Sequence, residues 1–105
     1  MKNTCVVEAQ HLGGVCLNWG CIPTKALLKA SEIYSDVRRA EEFGLEVGAV
    51  KVNMPKVIER SRAVSQQLSQ GIKHLLKKNK VTVIDGYGRF SGPKELSVTK
   101  SDGSI

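Results

Sequence analysis

Two cysteines five positions apart, Cys16 and Cys21, stand between the pair Gly13-Gly14 and the run Ile22-Pro23-Thr24-Lys25. No other stretch restricts the local backbone as tightly. In an ideal helix, residues i and i+5 have Cα atoms about 8.6 Å apart, from a rise of about 1.5 Å per residue on a radius near 2.3 Å. A disulfide tolerates Cα separations of up to about 7 Å. Bridging this pair therefore needs a bent or interrupted turn. Gly20 supplies backbone freedom, while Pro23 removes a donor and disfavours the helical region at Ile22. A disulfide closed across such a distortion is easily reduced, which suits catalysis better than stapling. The segment looks like a redox-active pair.

The flanking sequence alternates strand and helix signals. Lys2 to Glu8 is rich in β-branched residues and ends in an acid, which predicts a short strand near residues 3–8. The Gly13-Gly14 turn and the cysteine segment come next. Leu27, Ala30, Ile33/Tyr34, Val37 and Ala40 recur at helical spacing, so a helix is expected from about Thr24 to Phe43. Gly44 is placed to stop it. Residues 44–53 read as an extended connector. A second helix should run from about Met54 to Lys78, with Pro55 in its first turn and Met54, Val57/Ile58, Val64, Leu68, Ile72 and Leu75/Leu76 along one face. Val81 to Ile84 is a strand. Asp85-Gly86 breaks it, Tyr87 to Phe90 resumes, Ser91-Gly92-Pro93 turns, and Glu95 to Thr99 pairs back.

A chain of 105 residues suffices for one small domain. Its charge of +6 is concentrated: Lys56, Arg60, Arg62, Lys73, Lys77, Lys78 and Lys80 face Glu59 alone between residues 56 and 80. With no aromatic interleaving and no nucleic-acid motif, this is expected to be a solvated helix face rather than a nucleic-acid surface. Three cysteines, an odd number, fit a reducing compartment better than a secreted disulfide framework. Cys5 reads as a small buried residue of the opening strand. His11 and His74 lie far apart and no second cysteine pair exists, so no metal is expected. No apolar run approaches the length of a membrane span and no signal peptide is present, so no membrane is implied.

The contiguous run Gly13-Gly14-Val15-Cys16-Leu17-Asn18-Trp19-Gly20-Cys21-Ile22-Pro23-Thr24-Lys25-Ala26-Leu27-Leu28 resembles the active-site segment of the dihydrolipoamide dehydrogenase family, among the flavin-dependent pyridine nucleotide-disulfide oxidoreductases. Ile22 to Leu28 follows the dihydrolipoamide branch, whereas glutathione reductase relatives carry a different run there, typically with two adjacent lysines. One position departs: many relatives have Thr where Val15 stands, so Val15 offers the flavin pyrophosphate only its backbone.

The resemblance implies an α/β fold, an incomplete Rossmann-like FAD-binding domain of strand, two long helices, strand and β-hairpin. Residues 1–105 would be one fragment of that domain, carrying the redox segment at 13–28. The fingerprint G-x-G-x-x-G is absent from the chain, and the family's acid-base His has no counterpart in His11 or His74. Glu8 matches the ribose-binding acid of the dinucleotide fold. Gly14 allows close approach to the pyrophosphate. Cys21 would be the thiolate nearer the flavin and Cys16 the interchange thiol, with a nearby helix start lowering a thiol's pKa. Lys25 matches the lysine beside the flavin ring, and Gly86 and Tyr87 fall where backbone contacts the adenine. The cofactors implied are FAD, and NAD at a site outside this segment. The partner implied is the lipoyl group of 2-oxo acid dehydrogenase complexes, with a homodimeric parent in the cytoplasm, or in the mitochondrial matrix of a eukaryote. The isolated segment is expected to be inactive. Alternatives are another flavin disulfide reductase, of mercuric or glutathione type, and a stand-alone thiol-redox or anion-binding module.

Overall fold

Residues 3–105 are described by a computed structural model, so Lys2, the first residue of the expected opening strand, lies outside the described residues. The chain divides into two compact units, Met1–Gly14 with Ser69–Ile105, and Val15–Leu68.

In the first unit, strand β1 (Cys5–Glu8) pairs in parallel with β2 (Thr82–Asp85), in the register Cys5↔Thr82 through Glu8↔Asp85. Both are β-branched and short. A parallel strand normally has both faces covered. Here β1 and β2 form a two-stranded sheet whose residues are at best half-buried. Cys5 is accordingly exposed, against the expectation of a buried thiol, at the first position of a two-stranded sheet. Strands β3 (Tyr87–Gly92) and β4 (Glu95–Thr99) form an antiparallel hairpin with an irregularity between Phe90 and Gly92. Gly88 lies against β1: a Cβ there would stand 3.3 Å from Cγ1 of Val7.

The second unit is helical. The cysteine segment itself is helix α1 (Gly14–Trp19), followed after Gly20 by α2 (Cys21–Arg38). α2 thus starts three residues before the expected Thr24. Ile22 is helical despite the proline after it. Pro23 occupies the third position of α2, within the first turn, where a missing N–H leaves no intrahelical bond unmade. The expected single helix to Phe43 is divided. Arg39 leaves helical geometry at φ −103°, ψ 13°, a 3₁₀ turn spans Ala40–Phe43, and Gly44 closes it in the left-handed region at φ 75°.

Helix α3 (Met54–Lys78) runs over the expected span and begins with an N-terminal bond from Lys56 N–H to Asn53 Oδ1. Its buried positions differ from the expected stripe. Ser61 and Ser65 are buried, while Met54, Ile58, Leu68 and Leu75 are each more than two-fifths exposed. Ser61 Oγ donates to the Ile58 carbonyl, so this hydroxyl carries its own satisfaction into the buried face. Within the second unit, Leu27, Ala30 and Tyr34 of α2 face Val52, Met54 and Val57 across an open apolar cavity of about 320 Å³. The two apolar faces therefore meet only loosely there.

Candidate functional site

The break between α1 and α2 is what brings the two cysteines together. Cys16 is the third residue of α1 and Cys21 the first of α2. Between them Gly20 takes φ −119°, ψ −116°, outside helical geometry. The turn is built so closely that a Cβ on Gly20 would stand 3.1 Å from Cα of Cys16 and 3.2 Å from the Val15 carbonyl. Thr24 N–H donates to the Gly20 carbonyl at 3.1 Å and starts the second helix. The expectation that the segment is distorted at Gly20 holds. The contribution assigned to Pro23 does not, since Ile22 stays helical.

Cys16 and Cys21 are exposed free thiols. They interact directly. A hydrogen bond with the Cys16 thiol, reinforced by the unfavourable proximity of a second thiolate, pushes the Cys21 thiol above its ordinary value. A backbone hydrogen bond at the start of α2 and the Lys25 cation pull the other way and are the smaller effects. The expectation that a helix start would leave a lowered thiol is thus corrected at Cys21: in the dithiol the neighbouring sulfur outweighs the helix end. Lys25 lies on the first turn of α2, exposed, where its charge acts on Cys21. Val15 is 74% exposed on α1, so its side chain is unengaged by this unit.

A second group of expected residues belongs to the sheet unit. Glu8 ends β1 beside Asp85 at the end of β2, which places two carboxylates at the carboxyl edge of a parallel pair. In open α/β sheets ligands bind at that edge. Glu8 Oε1 accepts from Gln10 N–H at 2.9 Å, and the Glu8 carbonyl accepts from Gly86 N–H at 2.9 Å. Gly86 is held at φ +150°, and a Cβ there would stand 2.6 Å from the Thr99 carbonyl oxygen and from Cγ1 of Val98. Only glycine fits. Tyr87 follows it, 64% exposed. The Gly13-Gly14 turn uses φ 108° and 72°, and nothing lies within 4 Å of a Cβ placed on Gly14. Its glycines thus serve backbone conformation and leave open space beside the chain.

Within the sheet unit, a carboxylate at a strand end and an open glycine turn suit the ribose and phosphate groups of a dinucleotide. Among the described residues no three His, Cys, Asp or Glu side chains gather as metal ligands would. No helix among them is long and apolar enough to cross a membrane.

One tertiary contact of the cysteine segment escaped the sequence. Arg62 of α3 stacks over the Trp19 ring with its guanidinium carbon 4.6 Å from the centroid. Its Nη2 donates to the Asn18 carbonyl at 2.7 Å and to Ser65 Oγ at 3.4 Å. In a run of seven cations it reads as one more solvated charge. The available signal was Trp19, a large ring in the cysteine segment of a chain whose second long helix is rich in cations.

A cysteine pair set across a glycine break between two helices, in a chain that also carries a parallel strand pair with an acid at its carboxyl edge, defines an α/β protein with a paired-cysteine segment. Residues 1–103 match the family described as pyridine nucleotide-disulphide oxidoreductase, and the chain belongs to that family. It is 49% identical over 94 residues to a dihydrolipoyl dehydrogenase of Bacillus subtilis, covering 90% of this chain and 20% of that protein. It is 47% identical over 98 residues to one of Zymomonas mobilis, covering 93% of this chain and 21% of that one. A mitochondrial dihydrolipoyl dehydrogenase of Bos taurus is 42% identical over 106 residues, again 98% of this chain and 21% of that protein. Among solved structures, LpdA from Mycobacterium tuberculosis superposes with a TM-score of 0.84 at 25% identity, covering 97% of this chain and 23% of that one. The chain spans about one fifth of the length of the curated relatives it matches.

Proposed function

We propose that this chain is the redox-disulfide part of the FAD domain of a dihydrolipoyl dehydrogenase. The observation that carries the proposal is the Gly20 break, which sets Cys16 on the short helix α1 and Cys21 at the first position of α2. Relatives named dihydrolipoyl dehydrogenase at 42–49% identity support this function over a mercuric or glutathione type. In the oxidised protein Cys16 and Cys21 form one disulfide and Cys5 remains a thiol. A thiolate of dihydrolipoamide attacks Sγ of Cys16, the Cys16–Cys21 bond breaks, and Cys21 leaves as a thiolate. The second lipoyl thiolate then displaces Cys16, which closes lipoamide and leaves the dithiol. FAD, when bound, would supply the two-electron acceptor for that dithiol, and NAD the acceptor beyond it. Glu8 would hold the ribose, Gly14 and the Val15 backbone the pyrophosphate, Gly86 and Tyr87 the adenine, and Lys25 would balance negative charge beside Cys21. The lipoyl group would come from a 2-oxo acid dehydrogenase complex, and the whole protein would be a homodimer of the cytoplasm or the mitochondrial matrix.

Lys25→Ala in the full-length flavoprotein tests this function. Removing a preorganised cation from the reacting site should slow flavin reduction by dihydrolipoamide roughly tenfold to a hundredfold. Lys77→Ala, on the exposed end of α3, should leave the stopped-flow trace unchanged, since solvated surface charge contributes little. A Lys25→Ala trace that overlays the wild type refutes the assignment of Lys25.

A further inference from the structure

The two cysteines sit on separate helices, so the equilibrium between dithiol and disulfide depends on how firmly α1 is held with respect to α2 across the Gly20 break. α1 is six residues long, too short to be stable by its own hydrogen bonds. α2 is tied at its start by Pro23, which is buried. One tie on α1 comes from outside the cysteine segment, through Arg62 of α3.

Arg62 grips the last two residues of α1 with one planar group. Its Nη2 donates to the Asn18 carbonyl at 2.7 Å, one of the end carbonyls that a helix leaves without intrahelical partners. The guanidinium face covers Trp19 at 4.6 Å. Ser65 Oγ, on a residue 3% exposed, accepts from the same Nη2 at 3.4 Å and holds the fork from behind. Asn18 is 7% exposed, so its carbonyl has a buried surrounding in which a charge-assisted bond counts. A cation at this end also meets the negative pole of α1. The clamp ends at Trp19, one residue before the hinge. A lysine could supply the charge but neither the stacked plane nor the fork.

We propose that Arg62, with Trp19 as its stacking partner, is a positioning residue that holds α1 so that Cys16 stays in reach of Cys21, and thereby sets the reduction potential of the pair. The inference rests on Cys16–Cys21 being the redox pair. Without the clamp α1 pivots at Gly20 and the sulfurs spend less time in contact. Disulfide formation then becomes less favourable and the potential rises.

The test equilibrates the full-length protein with oxidised and reduced dithiothreitol, followed by acid quench, alkylation and peptide mapping. In this exchange the two cysteine thiols give up two electrons and two protons, the S–S bond forms, and oxidised dithiothreitol takes both up as its own bond breaks. Arg62→Met should lower the equilibrium constant for the Cys16–Cys21 disulfide roughly tenfold, the scale of one hydrogen bond to a charged group. Arg62→Lys should restore only part of this. Trp19→Val, at a position 61% exposed, should give a smaller fall, and should add nothing to Arg62→Met. The pH midpoint for alkylating Cys21 should fall in Arg62→Met, because the Cys16 thiol that raises it is no longer held close. Variants that match the wild-type equilibrium and pH midpoint while losing thermal stability overturn the proposal and leave Arg62 a merely structural tie. A wild type that forms no Cys16–Cys21 disulfide at any buffer ratio overturns the redox assignment, and this inference with it.

Discussion

At Cys21 two opposed influences act on one sulfur, and their order has a consequence for reactivity. The Cys16 thiol raises the Cys21 pKa more than the helix start and Lys25 lower it. Thiolate is the species that alkylates. In the reduced protein Cys21 should therefore react with iodoacetamide only at a pH above that of an ordinary thiol. Cys16→Ala removes both the hydrogen bond and the competing thiolate, so the midpoint for Cys21 should move down. Adding Lys25→Met to Cys16→Ala should move it back up. Mass-resolved alkylation across a pH series reads all three, and a Cys21 midpoint unchanged by Cys16→Ala would show that the thiols do not interact. At this scale the local backbone is what the sequence makes legible. The motif marks Cys16, Cys21 and Lys25, and Gly86 was read as a strand breaker, a role its φ of +150° now explains. Arg62 was not legible, because a stacked cation and a solvated one have the same surroundings in sequence. Cys5 was misjudged because burial depends on neighbouring strands, and a sequence pattern does not count them.

Helix α3 and strand β4 fall where periodicity and alternation place them, Met54–Lys78 and Glu95–Thr99. Strong local signals are consistent over those spans. Strand β2 lies one residue later than expected, at Thr82–Asp85, because Val81 still belongs to the close of α3: its N–H donates to the Leu76 carbonyl at 2.9 Å. The two helices of the cysteine segment are separated by a single residue, too short a break to show as a change of sequence pattern. Gly20 makes that break possible, and the space around it is tight. A methyl group there meets Cα of Cys16 at 3.1 Å and the Val15 carbonyl at 3.2 Å, both backbone atoms that cannot swing aside. Gly20→Ala should displace α1 against α2 and cost about 1–3 kcal/mol of stability, the usual range for an overpacked position. The affected property is specific: the disulfide should form less readily than in the wild type while the α3 helix persists by circular dichroism. Disulfide formation by Gly20→Ala at the wild-type level would mean that the turn relaxes freely and that its tightness has no bearing on the thiols.

Across the whole polypeptide, apolar burial is scant. Ala40 and Pro23 are the two buried apolar residues among those described, and no side chain there is fully enclosed. Phe90 is 87% exposed, Phe43 71% and Tyr87 64%, so large rings contribute little of the area that normally offsets chain entropy. The buried polar residues, Asn18, Ser61 and Ser65, outnumber the buried apolar ones. No buried side-chain nitrogen or oxygen among the described residues lacks a partner, so the polar contacts are sound while the hydrophobic driving force is small. Two ion pairs, Lys29–Glu32 and Arg39–Asp36, lie on the surface of the helical unit with every side chain more than half exposed, and such pairs add little. A polypeptide of these 105 residues, prepared alone, should therefore bind an apolar dye such as anilinonaphthalene sulfonate and self-associate as concentration rises. Its helices should melt in a broad, non-cooperative urea transition. It should also turn over no dihydrolipoamide with added FAD and NAD, since it holds no G-x-G-x-x-G turn to cradle a dinucleotide pyrophosphate. Two arms separate the causes. Dye binding and urea melting report on the missing apolar cover, whereas turnover reports on the missing chemistry. A sharp two-state melt with no dye binding would show that the polypeptide completes its own core, and measurable lipoamide turnover would overturn the view that its chemistry needs residues beyond these.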